Sequence, residues 1–127
     1  MRLPTLRVAE MHAARNLPTY AYFFTYCSPA AKGMLGACHA LELPFVFGTI
    51  DAPLQEHFAG TGAAVRALSD TMMRAWSSFA ATGAPEGASR EWPRFDVERR
   101  MTRVFDVATR TEMAPHDEER AVWEGIL

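Results

Sequence analysis

Gly36-Ala37-Cys38-His39-Ala40-Leu41-Glu42-Leu43-Pro44-Phe45-Val46-Phe47-Gly48 places one histidine on a glycine-started loop, directly ahead of a short apolar segment that holds a single acid. The approach to it is equally informative. Thr19-Tyr20-Ala21-Tyr22-Phe23-Phe24-Thr25-Tyr26 is uncharged, aromatic and β-branched, which predicts an interior strand over residues 19–26. Between the two, Cys27 to Cys38 contains Pro29, Gly33 and Gly36 and reads as a loop. Glu42 to Phe47 suits one or two helical turns, because proline is tolerated in a first turn and Gly48 supplies a stop. A strand that feeds a loop, and a loop that presents an imidazole, is an arrangement suited to proton transfer.

Working outward, Thr5 to Arg15 is expected to form a first helix, with Pro4 before it and Asn16-Leu17-Pro18 as its stop. Thr49 to Gly60 reads as irregular. The strongest periodicity runs from about Gly62 to Thr82, where Val65, Leu68, Met72, Trp76 and Phe79 share one face. Arg66, Asp70 and Arg74 recur on another face at a spacing that allows ion pairing. Thr61 is the expected N-cap, and Gly83 with Pro85 the stop. Glu86 to Arg90 is a surface loop and Trp92-Pro93 begins an extended stretch. Arg103 to Val107 alternates as a strand, with Thr111-Glu112-Met113 as its short return partner. His116-Asp117-Glu118-Glu119 places acids in the first turn of a last helix, packing through Val122, Trp123, Ile126 and Leu127.

The 127 residues are 49% hydrophobic with a formal net charge of -2. Those values fit one globular domain that buries roughly two-thirds of its unfolded surface. The 13 basic residues are scattered, so a nucleic-acid partner is not expected. No apolar run approaches the roughly 20 residues of a membrane helix. Met1-Arg2-Leu3-Pro4-Thr5 leads into no apolar signal core, which makes a cytoplasmic address the default expectation. Cys27 and Cys38 are too few for a disulfide framework and lack metal-ligand spacing, so both are expected as packed thiols. His12, His57 and His116 are expected to be solvated.

Four blocks, in order, carry a resemblance. They are Tyr20-Ala21-Tyr22-Phe23-Phe24, the Gly36–Gly48 stretch, Trp76-Ser77-Ser78-Phe79-Ala80-Ala81-Thr82-Gly83-Ala84-Pro85, and Trp92-Pro93-Arg94-Phe95. Together they resemble the C-terminal quarter of the type B carboxylesterases, the family of para-nitrobenzyl esterases and cholinesterases. The resemblance implies a mixed α and β (α/β) fold class: a partial α/β-hydrolase domain over residues 1–127, with one central strand, a small hairpin and three to four helices. It implies that His39 is the catalytic general base of a Ser-His-acid triad and that Glu42 is a buried supporting acid, distinct from the acid that orients the histidine. It implies a small ester substrate and no metal or organic cofactor.

The departures are equally specific. The chain contains no G-x-S-x-G elbow, the turn that holds the serine nucleophile in such folds. The nearest substitute for a glycine-rich oxyanion loop is Gly60-Thr61-Gly62, which opens a helix elsewhere. Hydroxyls for a rebuilt site are Ser28, Ser69, Ser77, Ser78 and Ser89, with Asp51 and Glu56 as possible orienting acids; Ser28 shares a loop with His39. A strand separated from its sheet also exposes backbone edges, so a homodimer or higher oligomer is expected, burying surfaces around Tyr22, Phe24, Phe45 and Phe47. Two functions therefore stand side by side: a piece of a carboxylic ester hydrolase that supplies the histidine, and a non-catalytic remnant or self-association module.

Overall fold

A computed structural model describes residues 2–88, 90–124 and 126. Among them the order of elements is α1 (Arg2–Ala13), β1 (Ala21–Phe24), a short 3-10 turn (Ala30–Gly33), α2 (Leu43–Val46), α3 (Gln55–Ala59), α4 (Ala63–Thr82), β2 (Met101–Phe105), β3 (Arg110–Met113) and α5 (Asp117–Trp123). The mixed α and β class holds. The sheet differs from the expectation in one instructive way. The two strands near the C-terminus do not form a separate hairpin: all three strands join one sheet in the order β1-β2-β3, and β2 is the central strand. β2 pairs antiparallel with β3 and parallel with β1, in a register that sets Phe24 beside Phe105 and Phe23 beside Val104. A parallel pair needs a long crossover, and here the loop, α2, α3 and α4 supply it. An uncharged aromatic run marks β1 and alternation marks β2, but neither can announce a partner so distant in sequence.

Register divides the sheet into two faces. Phe24 and Phe105 face α2 and α4, where they join Leu41, Phe45, Leu68, Met72 and Trp92 in the main core. Phe24 and Tyr26 both stack on the fully buried Phe45, with ring centroids 5.5 and 5.2 Å away. The opposite face carries Phe23, over which the Arg2 guanidinium sits at 5.0 Å and against which the His116 ring stands edge-on. The result is a small three-layer arrangement, helices on both sides of a sheet.

α4 keeps the face that its periodicity predicts only in part. Val65, Leu68, Ser69, Met72 and Ala75 are buried, whereas Phe79 is 48% exposed and forms an edge-to-face pair with Tyr20. Its N-cap is Gly62 and not Thr61, with no side-chain cap. Its C-terminus follows the expected Gly83, which adopts φ +77 and donates its N–H to the Phe79 carbonyl at 2.8 Å. The expected Arg66–Asp70–Arg74 ladder does not form. Arg66 pairs with Asp51 and Arg74 with Glu86 instead, at 2.9 Å for the latter, because nearby loops offer acids with less helix geometry to satisfy.

Other boundaries shift. α1 begins before the predicted Thr5 and stops short of Arg15. Asn16 takes the left-handed conformation there, and Leu17 N–H reaches back to the His12 carbonyl at 3.2 Å. Residues 49–60 are not all irregular, since they contain α3. α5 forms as expected, yet Val122, Trp123 and Ile126 are exposed; Leu127 lies outside the described residues. α5 meets α1 instead through charge, Arg2 pairing with Glu119 at 3.8 Å and donating to the Pro115 carbonyl just before α5, while Arg120 bonds Asp117 and Glu124 along α5 itself.

A candidate hydrolase half-site around His39

His39 is pushed outward by its neighbours. Cys38 is half-buried against the core, Leu41 is fully buried, and Ala40 between the ring and that anchor adopts a left-handed φ of +66. Two overlapping turns close here, from Leu41 N–H to the Cys38 carbonyl and from Leu43 N–H to the Ala40 carbonyl. A left-handed alanine costs about 1–3 kcal/mol, a strain found where surroundings dictate the backbone. The imidazole is exposed, and among the described residues it has no hydrogen-bond or ion-pair partner.

His39 and Glu42 line the same cleft, of about 420 Å³, together with Tyr20 and residues Ala21 to Phe24 of β1. Successive strand residues point to opposite faces, so a cleft touching Tyr20 to Phe24 takes in the unpaired edge of β1, and Thr102 of β2 with Arg2, Leu6 and Ala9 of α1 carries it across the Phe23 face. Arg100, Asp117 and Arg120 line it as well. Those charges are already engaged: Arg100 pairs with Glu10 at 3.0 Å, and the hydrogen bond from Arg120 holds Asp117 below the usual carboxylate range.

Glu42 is not buried as expected. It is half-exposed at the start of α2, where it makes no side-chain cap bond, because the side facing the cleft has no covering element among the described residues. Its charge is felt by Tyr22, whose hydroxyl is raised above its ordinary pKa first by burial and then by the Glu42 carboxylate. Tyr22 is the cleft residue that motif reading did not assign to the site; strand alternation alone could have placed it beside the loop.

A rebuilt triad inside this chain is ruled out for the described serines. The buried Ser28 hydroxyl donates to the Phe58 carbonyl at 2.6 Å and accepts from Ala30 N–H at 3.1 Å. Ser69, Ser77 and Ser78 donate to the carbonyls of Phe45, Met73 and Ala84. None of these serines lines the His39 cleft; Ser89 lies outside the described residues. Asp51 is taken by Arg66, and Glu56 lies beside His57 at 3.8 Å. Gly60 and Gly62 sit at the α3–α4 junction, away from the cleft. Cys27, expected as a packed thiol, is exposed, while Cys38 is half-buried. His116 is exposed but edge-on to Phe23 and paired with Glu119 at 3.3 Å. No group of three or more His, Cys, Asp or Glu among the described residues converges where a cation could sit, and no described helix is long and apolar enough to cross a membrane.

A parallel β1–β2 pair, whose crossover begins with a loop that presents a histidine beside the sheet, fits the partial α/β-hydrolase sheet that the resemblance implies. Comparison with known proteins narrows that class. The model of the carboxylesterase family matches residues 1–123, and the chain belongs to that family. It is 37% identical over 112 residues to the para-nitrobenzyl esterase of Bacillus subtilis, covering 88% of this chain and 22% of that protein. It is 31% identical over 126 residues to carboxylesterase 4A of Bos taurus, covering 96% and 22%. A solved carboxylesterase of Geobacillus stearothermophilus superposes with a TM-score of 0.78 at 41% identity, over 93% of this chain and 24% of that one. The chain thus spans less than a quarter of the length of these relatives.

Proposed function

We propose that this chain is the C-terminal part of a carboxylic ester hydrolase and supplies His39 as the general base of a serine esterase triad. The serine elbow, the orienting acid and the oxyanion donors come from outside these 127 residues. The observation that carries this reading is the exposed, unpartnered imidazole in the cleft along β1, while every described serine is engaged elsewhere. In the complete site His39 removes the serine proton as the ester carbonyl is attacked, then returns it to the departing alcohol. Glu42 supports the site from the same cleft as a hydrogen-bonding acid, and its charge reaches Tyr22.

The test joins the chain to a family segment bearing G-x-S-x-G and measures hydrolysis of p-nitrophenyl acetate and butyrate. The joined protein is active, and His39→Ala lowers its turnover by about 10²–10⁴-fold. The chain alone labels no serine with a fluorophosphonate probe. Joined protein that is folded, active and indifferent to His39→Ala defeats the proposal.

A second reading has its own observation. β1 is an edge strand, and Tyr22 and Phe47 are exposed at 43% and 72%, which favours self-association of the separate chain. Phe45 takes no part in it, being fully buried in the core. Light scattering at micromolar concentration decides: a strict monomer removes this reading.

A further inference from the structure

Two hydroxyls flank the exposed Cys27, and both donate to consecutive carbonyls at the end of α3. Tyr26 bonds the Ala59 carbonyl at 2.9 Å, and Ser28 bonds the Phe58 carbonyl at 2.6 Å. The last carbonyls of a helix have no partner within it, so the loop after β1 completes α3 and α3 in turn anchors the loop. Gly60 allows the close approach. It adopts φ +82, and a Cβ there would lie 2.7 Å from the Tyr26 hydroxyl and 3.3 Å from the Pro29 ring. Ser28 adds a third bond, its backbone N–H donating to the Gly36 carbonyl at 3.0 Å. That bond closes the loop at the point from which Ala37, Cys38 and His39 depart. On the far side, Leu41 is fully buried and Ser69 holds the Phe45 carbonyl at 3.0 Å.

The imidazole therefore hangs between two fixed points, and the one on the strand side is held by the Ser28 hydroxyl, the Ser28 backbone N–H and the Tyr26 hydroxyl. We infer that Ser28 is a positioning residue for His39: its hydroxyl, bonded to the Phe58 carbonyl and the Ala30 N–H, holds in place the backbone N–H that donates to Gly36, so that the imidazole is presented to the cleft in one orientation. This rests on the proposed role of His39, but it is tested on the chain itself, without turnover.

The experiment follows the His39 ring resonances by NMR in the full 127-residue chain, assigned through His39→Gln, alongside amide hydrogen exchange. Ser28→Ala broadens or splits the His39 signal and speeds exchange of the position-28 amide about tenfold, while Met72 and Phe105 amides keep their protection. Ser28→Thr, which retains the hydroxyl, restores a single sharp ring signal. In the joined esterase Ser28→Ala lowers kcat by about ten- to a hundredfold at unchanged KM. An unaltered His39 signal with intact core protection overturns the inference. If Ser28→Ala unfolds the chain, Ser28→Cys decides, because it keeps the side chain's shape while weakening its bonds to Phe58 and Ala30: broadening of His39 with the core protected supports the positioning role, and an unchanged signal overturns it. A sharp His39 signal that depends on the Ser28 hydroxyl, in a joined protein without esterase activity, would sink the catalytic reading and leave the positioning role standing.

Discussion

The Ser28 junction and the His39 cleft belong to one loop and are opposite in chemistry. At Ser28 the hydroxyl and the backbone N–H are satisfied from within the chain, by Phe58, Ala30 and Gly36. At His39 and Glu42 the side chains face a cleft with no hydrogen-bonding partner among the described residues. A buried polar group left unpaired costs about 1–3 kcal/mol, so the first region has to be self-sufficient for the chain to fold. An exposed imidazole carries no such penalty and remains free to act on something else. The difference separates residues that build the fold from residues held ready by it.

Core substitutions sharpen the contrast most. Phe45→Ala removes a fully buried ring stacked on Phe24 and Tyr26 and is expected to lower stability by about 3–5 kcal/mol in urea unfolding. His39→Ala should stay within about 0.5 kcal/mol of the parent; a large loss there would mean that the cleft side is structural after all. Gly60→Ala comes next. It forces a side chain onto a left-handed backbone against the Tyr26 hydroxyl, at a cost of about 1–3 kcal/mol. An unchanged denaturation midpoint would show that the α3–loop junction tolerates movement.

Smaller effects probe the charged groups. Glu42→Gln removes the charge that disfavours the Tyr22 phenolate, so the tyrosine midpoint in an ultraviolet titration falls, though burial keeps it above the ordinary value. A midpoint that does not move would separate Glu42 from Tyr22. Last is Asp96, whose carboxylate is held below its ordinary 3.8 by the Arg99 backbone N–H and the Arg99 side chain. A depressed folded pKa adds stability above the unfolded value and loses it as pH falls through the lower folded one. Asp96→Asn should therefore show a shallower drop in Tm between about pH 5 and about pH 3 than the parent. Parallel curves would dissociate that turn from acid sensitivity.

Much of this was legible in local pattern. Val65, Leu68 and Met72 advertise α4 because a helix buries residues at a period that the sequence carries directly. The aromatic run ahead of the loop marks β1, and the glycine-started block marks where His39 is presented. What stayed hidden was non-local. α3 is five residues long and too short for a period to emerge. The parallel β1–β2 pairing joins segments separated by the whole crossover, and no residue in Ala21–Phe24 encodes Met101–Phe105 as its neighbour. Phe45 and Phe47 look alike as a pair of apolar residues, yet one is fully buried and the other is 72% exposed, because α4 and β1 cover only one side of α2.

Sequence by itself determined the kinds of element, the glycine stop of α4 and the histidine on its loop, since these depend on backbone preference and spacing over a few residues. Tertiary structure alone decided that β2 is the centre of the sheet, that Ser28 is bound to α3 and cannot serve as a nucleophile, and that Glu42 opens toward the cleft. The reason is physical: burial and hydrogen-bond satisfaction are properties of what the folded chain brings alongside a residue, and those neighbours lie far away along the polypeptide.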